Sequence, residues 1–224
     1  MQRSGIDTTG LLETDGVHTT LAFVQLDEQG DRSFSFYRKP GADVLLRPED
    51  VDVSRIRDAH NFHFGSLSLT DEPIRSATHR AVEAAREAGC IISYDPNYRP
   101  PLWPSEAEAK AQMASMLPYV DVLKVSEEEM LLLTGDSNPE TATKHFTELG
   151  ISLVLVSMGE MGACYRCGDE FGHIPAFPVH AVDTNGAGDS FLGAILYCLR
   201  GKRREELRMM HSGELQELVT YGNA

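Results

Sequence analysis

The sequence has 224 residues, of which 34 are Asp or Glu and 20 are Lys or Arg, so its formal net charge is −14. So acidic a chain argues against nucleic acid as the main partner, because binding a phosphate backbone needs a basic footprint. It leaves open a single phosphate pocket built from backbone amides. No apolar run approaches the roughly 20 residues that span a bilayer, and the opening MQRSGIDTTG lacks the apolar core of a signal peptide. We therefore expect a cytoplasmic protein that binds neither nucleic acid nor membrane.

The first predicted element is a β-hairpin near the N-terminus. Residues 19–26 have the pattern of a strand, residues 27–31 that of a turn, and residues 33–38 that of a return strand. A two-stranded hairpin is marginal alone. The hairpin, at about residues 17–40, must therefore pack on the rest of the chain.

After Pro48 the pattern changes to strands that alternate with helices. The predicted strands cover residues 61–67, 90–95, 120–125 and 151–157, and the helices lie at about 72–88, after Ser105, after Ser126 and at 139–150. A short β-rich stretch at about 162–180, a glycine-led helix at about 186–199 and a polar helical tail follow. Apolar strands bounded by helices indicate a parallel sheet covered on both faces. The predicted fold is α/β and Rossmann-like, with residues 1–224 as one domain and the hairpin as a small appendage.

Two short patterns resemble metal sites but lack the geometry. Cys164 and Cys167 form C-x-x-C on a predicted strand, where residues three apart point to opposite faces. His60 and His63 form H-x-x-H with the same defect. We predict incidental roles for both pairs and free thiols in a reducing compartment.

The clearest chemistry lies in Gly186-Ala187-Gly188-Asp189, at the start of the predicted helix. Glycines at a helix start leave backbone N–H groups uncovered, and the helix dipole adds partial positive charge, so the segment can hold a phosphate. A carboxylate in the first turn could then accept a proton from an attacking hydroxyl. The alternative is purely structural, since Asp is favoured in any first helical turn. Neither the P-loop pattern nor G-x-G-x-x-G occurs.

The longer pattern DTNGAGDSFLGA, at residues 183–194, resembles the C-terminal signature of the ribokinase-type (PfkB) sugar kinases at every diagnostic position. Four more stretches resemble the fructokinase branch: FYRKPGAD (36–43), FHFGSLSL (62–69), SYDPNYRPPLWPS (93–105) and KVSEEEMLLLTG (124–135). The resemblance covers nearly the whole chain in the right order. It implies a ribokinase-like fold in which the hairpin is a lid over the sugar.

The resemblance also implies catalytic roles. Asp189 would be the base, and the amides of Gly186, Ala187 and Gly188 would stabilise the transferring phosphoryl group. Arg99 would pair with phosphates of the nucleotide or of the product. The main-chain carbonyls of two further residues would hold a monovalent cation: Asp183 and Asn185.

A third group of residues matches the nucleotide site of the family: Ser126, Glu129, Ser157, Gly159, Gly162 and Asn223. Here Ser126 stands where the family has asparagine in its N-x-x-E motif. Ser126 and Glu129 also fit a helix capping box, and Gly159 and Gly162 also fit an ordinary turn. Both alternatives stay open.

The implied activity is transfer of phosphate from ATP to the 6-hydroxyl of fructose, with Mg²⁺ and K⁺ as cofactors and a homodimer formed through the lid. Two alternatives remain: a kinase for ribose or 2-keto-3-deoxygluconate, and a non-catalytic relative that keeps only the nucleotide and phosphate site. The fructokinase-like stretches at 36–43 and 93–105 disfavour a different sugar.

The family's first strand, with its sugar-binding aspartate, and its Gly-Gly segment ending in asparagine have no match in this sequence. The family pattern also continues beyond residue 224. We therefore expect the sequence to be the middle and catalytic portion of a fructokinase, truncated at both ends, with little fructose phosphorylation of its own.

Overall fold

The computed structural model describes residues 2–26, 32–39, 41–179 and 183–224. Within these ranges the strands are β1 (Leu21–Leu26), β2 (Arg32–Tyr37), β3 (Asn61–Gly65), β4 (Ile91–Asp95), β5 (Val122–Ser126), β6 (Leu153–Ser157), β7 (Ala163–Cys167) and β8 (Glu170–Ile174). The α-helices there are α1 (Val53–Arg57), α2 (Ile74–Ala88), α3 (Glu106–Met116), α4 (Glu127–Thr134), α5 (Pro139–Glu148), α6 (Ala187–Leu199) and α7 (Ser212–Asn223).

Strands β3 to β8 form one sheet in chain order. The pairs from β3 to β6 are parallel, whereas β7 and β8 run antiparallel to their neighbours. The carboxyl ends of four neighbouring strands therefore meet at one edge of the sheet, where open α/β sheets bind their ligands. The predicted α/β architecture is confirmed.

Two apolar cores lie on opposite faces of this sheet. One core packs α2, α3, α4 and α5 against the sheet, with Met113 and Phe146 fully buried. The other packs α6 and α7 against the opposite face. Cys164 belongs to the first core and Cys167 to the second, which confirms that this pair points to opposite faces.

The hairpin forms a separate two-stranded antiparallel sheet, paired from Leu21 with Tyr37 to Leu26 with Arg32. Arg38, directly after β2, is buried and ties the hairpin to the segment that follows β3. Its guanidinium donates to the carboxylate of Asp43, to Oγ1 of Thr70 and to the carbonyl of Leu67, each at 2.8 Å. The two predicted strands are confirmed, and the predicted turn at 27–31 lies outside the described residues.

Several predicted ends of strands and helices differ from the observed ends by a few residues. The strand predicted to reach residue 67 ends at Gly65, because Ser66 enters a 3-10 turn and donates its N–H to the carbonyl of Pro96 at 3.0 Å. The helix predicted from about residue 72 begins at Ile74. None of the helices in the described part of the chain is long and apolar enough to cross a bilayer.

Candidate active site

A cavity of about 500 Å³ lies at the carboxyl ends of β4, β5 and β6, beside the N-terminus of α6. Its wall contains these residues predicted for the site: Arg99, Ser126, Glu129, Ser157, Asn185, Gly186, Gly188 and Asp189. They come from four separate segments of the chain, which the parallel sheet brings to one edge.

The first turn of α6 has the features of an anion site. Gly186 precedes the helix with φ of 76°, a left-handed conformation that glycine adopts without a steric penalty. The first N–H groups of a helix have no acceptor within the helix, and the dipole makes this end positive. Ala187 donates its N–H to the carbonyl of Thr184 at 3.2 Å, so that amide is occupied, whereas Gly186 and Gly188 face the cavity.

Asp189 lies in the first turn of α6 and is exposed at the cavity wall. Its carboxylate makes no hydrogen bond to any residue that the structure describes. The imidazole of His63 lies close enough to Asp189 for the carboxylate charge to affect its pKa. Desolvation lowers the pKa of His63, and the negative charge of Asp189 opposes that shift. Asp189 is therefore free to accept a proton from a ligand in the cavity.

A buried ion pair forms the floor of the cavity. The Nζ atom of Lys124, on β5, lies 2.9 Å from Oδ2 of Asp95, at the end of β4, and both side chains are less than a tenth exposed. Burial raises the pKa of Asp95 to about 6, and the Glu129 charge adds to the shift while the Lys124 ammonium opposes it. Sequence patterns did not single out this pair, although a lysine and an aspartate inside two apolar strands are a detectable signal.

Glu129 holds two segments of the cavity wall together. Its Oε2 accepts the N–H of Ser126 at 2.8 Å, and Ser126 Oγ accepts the N–H of Glu129 at 3.2 Å, which forms the capping box of α4. Its Oε1 accepts the N–H of Tyr98 at 2.6 Å. The capping-box alternative is confirmed, and Glu129 also fixes the loop that carries Arg99.

We expect Glu129→Gln to lower the free energy of unfolding by about 2 kcal/mol, because the amide replaces one of two buried acceptors with a donor. The exposed Glu127 in the same helical turn is the matched control, and Glu127→Gln should change stability by less than about 0.5 kcal/mol. Chemical denaturation without added metal measures both. Equal stabilities of Glu129→Gln and wild type would mean that Glu129 has no structural role.

The loop after β4 has a strained conformation. Asn97 has φ of 49°, which is uncommon for a residue other than glycine, and its N–H donates to Oδ1 of Asp95 at 3.2 Å. Arg99 follows two residues later and donates to the carbonyl of Tyr98 at 3.0 Å. Asp95 and Glu129 thus shape the loop that places Arg99 at the cavity.

Several predicted residues lie elsewhere. Gly159 and Gly162 form the turn between β6 and β7, outside the cavity wall. Asn223 donates its side-chain N–H to the carbonyl of Ile174 at 3.1 Å, and with Ala187 it lines a second depression of about 420 Å³ between α6 and α7. These residues have clear structural roles, and they also remain candidates for nucleotide binding.

The predicted cation ligands form a local turn. Asp183 and Asn185 are exposed, and the N–H of Asn185 donates to Oδ1 of Asp183 at 2.8 Å. Within the described ranges no three His, Cys, Asp or Glu side chains cluster as metal ligands would.

Comparison with known proteins identifies the family. The model of the pfkB family carbohydrate kinases matches residues 1–224. Probable fructokinase-2 of Arabidopsis thaliana is 46% identical over 198 residues, which cover 88% of this chain and 60% of that protein. The chain spans about 60% of the length of this relative and of two other curated Arabidopsis thaliana relatives, probable fructokinase-3 and probable fructokinase-4.

Solved structures agree with this assignment. The fructokinase of Xylella fastidiosa with bound ATP has a TM-score of 0.90 and 32% identity, over 99% of this chain and 70% of that one. The fructokinase of Vibrio cholerae O395 with fructose, ADP and calcium ion has a TM-score of 0.85 and 31% identity, with the same coverage. Matched along its whole length, this chain belongs to the pfkB family of carbohydrate kinases.

Proposed function

We propose that the chain carries the phosphoryl-transfer site of an ATP-dependent sugar kinase, with fructose as the acceptor. The observation that carries the proposal is the geometry of α6. Asp189 has a carboxylate without a hydrogen-bond partner among the described residues, and it lies beside the anion site of the same helical turn, in the cavity that Arg99 also lines.

In the proposed reaction Asp189 accepts the proton of the sugar 6-hydroxyl as its oxygen attacks the γ-phosphorus of ATP. The bond from that phosphorus to the β,γ-bridging oxygen breaks, and the products are the sugar 6-phosphate, ADP and a proton. The amides at Gly186 and Gly188, with the helix dipole, would stabilise the charge on the transferring group. Ala187 would contribute its amide only if its bond to Thr184 opened.

Positive charge and oxygen ligands surround the proposed phosphate position. The Arg99 guanidinium can hold phosphate oxygens with paired hydrogen bonds. Carboxylates of Glu128 and Glu129 line the same cavity, and oxygen donors of this kind suit Mg²⁺, which usually binds through one or two carboxylates, water and the phosphates. When bound, Mg²⁺ would neutralise charge on the phosphates. The proposed nucleotide site also includes the other residues that match it in the family: Ser126, Ser157, Gly159, Gly162 and Asn223.

Fructose is favoured over other sugars by the comparisons. The relative cited above bears the name probable fructokinase-2, and both solved structures are fructokinases. The stretches at 36–43 and 93–105 also resemble that branch. The hairpin would act as a lid that excludes water, which competes with the sugar for the phosphoryl group.

Three further features belong to the proposal. Exposed apolar side chains on the hairpin, among them Leu21, Phe23 and Tyr37, support a homodimer formed through the lid. The carbonyls of Asp183 and Asn185 would bind K⁺. The four cysteines are free thiols, as a cytoplasmic location would allow.

The test is ADP release in the presence of ATP, Mg²⁺ and one sugar at a time, measured on this chain and on the longest polypeptide that its gene encodes. We expect fructose to react faster than ribose or 2-keto-3-deoxygluconate. A higher kcat/KM for either of those sugars would overturn the assignment of fructose. Binding of ATP by that longest polypeptide without transfer to any sugar would favour a non-catalytic relative.

A further inference from the structure

The buried pair of Lys124 and Asp95 has no role in the proposed reaction so far. Burying two charges costs several kcal/mol per ion, and apolar residues of similar volume are often as stable. A buried pair that lines a cavity is thus better explained by what the cavity binds than by the stability of the fold.

The position of the ammonium indicates what it faces. A Cβ atom built on Gly188 would lie 3.0 Å from Nζ of Lys124. The missing side chain at Gly188 therefore lets the ammonium lie against the first turn of α6, beside the amides of the anion site. The ammonium of Lys124 on β5 and the positive end of the α6 dipole therefore lie next to each other in the cavity.

The ammonium also has unused hydrogen-bonding capacity. A lysine has three N–H donors, and in the described part of the chain Asp95 is the one side chain that accepts from Lys124. Asp95 is itself fixed, because its other oxygen accepts the N–H of Asn97. Asp95 can therefore hold the ammonium in place while two donors remain for a ligand.

We propose that Lys124 is a further phosphate-binding residue, which Asp95 positions so that its ammonium binds the terminal phosphate of ATP. This inference rests on the proposed function, because it takes ATP as the ligand of the cavity. Lys124 then distinguishes ATP from ADP, since the phosphate that occupies the first turn of α6 is the one that ADP lacks.

The test is calorimetric titration of ATP and ADP, with Mg²⁺, into wild type and Lys124→Met. We expect the variant to bind ATP about 10- to 100-fold more weakly, the effect of losing a hydrogen bond to a charged group, and ADP less than about 3-fold more weakly. The exposed Lys144 on α5 is the matched control, and Lys144→Met should leave both affinities unchanged. An equal loss for ATP and ADP in a folded variant would overturn the proposal.

Removing Lys124 alone leaves Asp95 buried without its partner, so the double variant Asp95→Asn/Lys124→Met, in which the pair is neutral, is titrated as well.

A second measurement needs no variant: the ¹⁵N resonance of the Lys124 ammonium in wild type should shift on addition of ATP and change much less with ADP. Equal shifts with both nucleotides would contradict the proposal. If wild type binds no ATP, the proposed function itself fails, an outcome distinct from a wild type that binds ATP without involving Lys124.

Discussion

Replacing Asp189 with asparagine is expected to lower kcat for sugar phosphorylation by about 100- to 10,000-fold, the usual contribution of a positioned general base. Asparagine has nearly the same shape but cannot accept the proton of the attacking hydroxyl. Because Asp189 makes no hydrogen bond to the described residues, the substitution should leave the fold intact. The affinity for ATP should persist, since the amides of the anion site remain.

The measurement is steady-state turnover of the longest polypeptide that the gene encodes, combined with a separate titration of ATP. Asp169 is the matched control, because it is exposed in the turn between β7 and β8, at the opposite edge of the sheet, and Asp169→Asn should keep full turnover. If Asp189→Asn retained a tenth or more of wild-type kcat, Asp189 would not be the base. Loss of ATP binding together with turnover would instead place Asp189 among the residues that hold the nucleotide.

The largest expected effect on stability is at Gly162. We expect Gly162→Ala to lower the free energy of unfolding by about 4 kcal/mol, from a strained backbone and an overpacked contact together. Gly162 has φ of 96° and ψ of −133°, and a Cβ atom there would lie 2.1 Å from the carbonyl oxygen of Ile174. Neither the turn nor the end of β8 can move without breaking the sheet.

Gly159, in the same turn, is the control for this prediction. It also has a positive φ, of 57°, but a Cβ atom there meets nothing within 4 Å. Gly159→Ala should therefore cost only about 1 kcal/mol, the penalty of a left-handed conformation. Urea denaturation of both variants separates the cost of the left-handed backbone, which both share, from the cost of the steric overlap, which only Gly162→Ala has. Equal losses would show that the contact with Ile174 contributes nothing, and that Gly162 is an ordinary turn residue.

Local patterns were sufficient to predict most of the fold. Each strand of the parallel region is a short apolar run, and helices such as α4 and α5 begin at the capping residues Ser126 and Asn138. The glycine-led start of α6 was also predictable, because both its conformation and its charge depend on residues that are adjacent in sequence. Resemblance to the family then favoured the proposed role of Asp189 as the base, which the local pattern alone left open.

Contacts that depend on strand register could not be predicted from the sequence. Tyr94 pairs with Leu123 in the parallel β4–β5 ladder, and this register brings the next residues, Asp95 and Lys124, together. The bond from Tyr98 to Glu129 likewise joins a loop to a helix 31 positions away. The occupied amide of Ala187 depends on the exact turn at Thr184, which a sequence pattern does not specify.

We propose that this chain carries a site for phosphoryl transfer from ATP to a sugar hydroxyl. The most direct measurement is ³¹P NMR of a mixture of ATP, Mg²⁺ and fructose with the longest polypeptide that the gene encodes around this chain. We expect ADP and fructose 6-phosphate to accumulate in equal amounts, without formation of inorganic phosphate. ADP accompanied by inorganic phosphate, or ATP that stays intact, would show that the site does not transfer phosphate to the sugar.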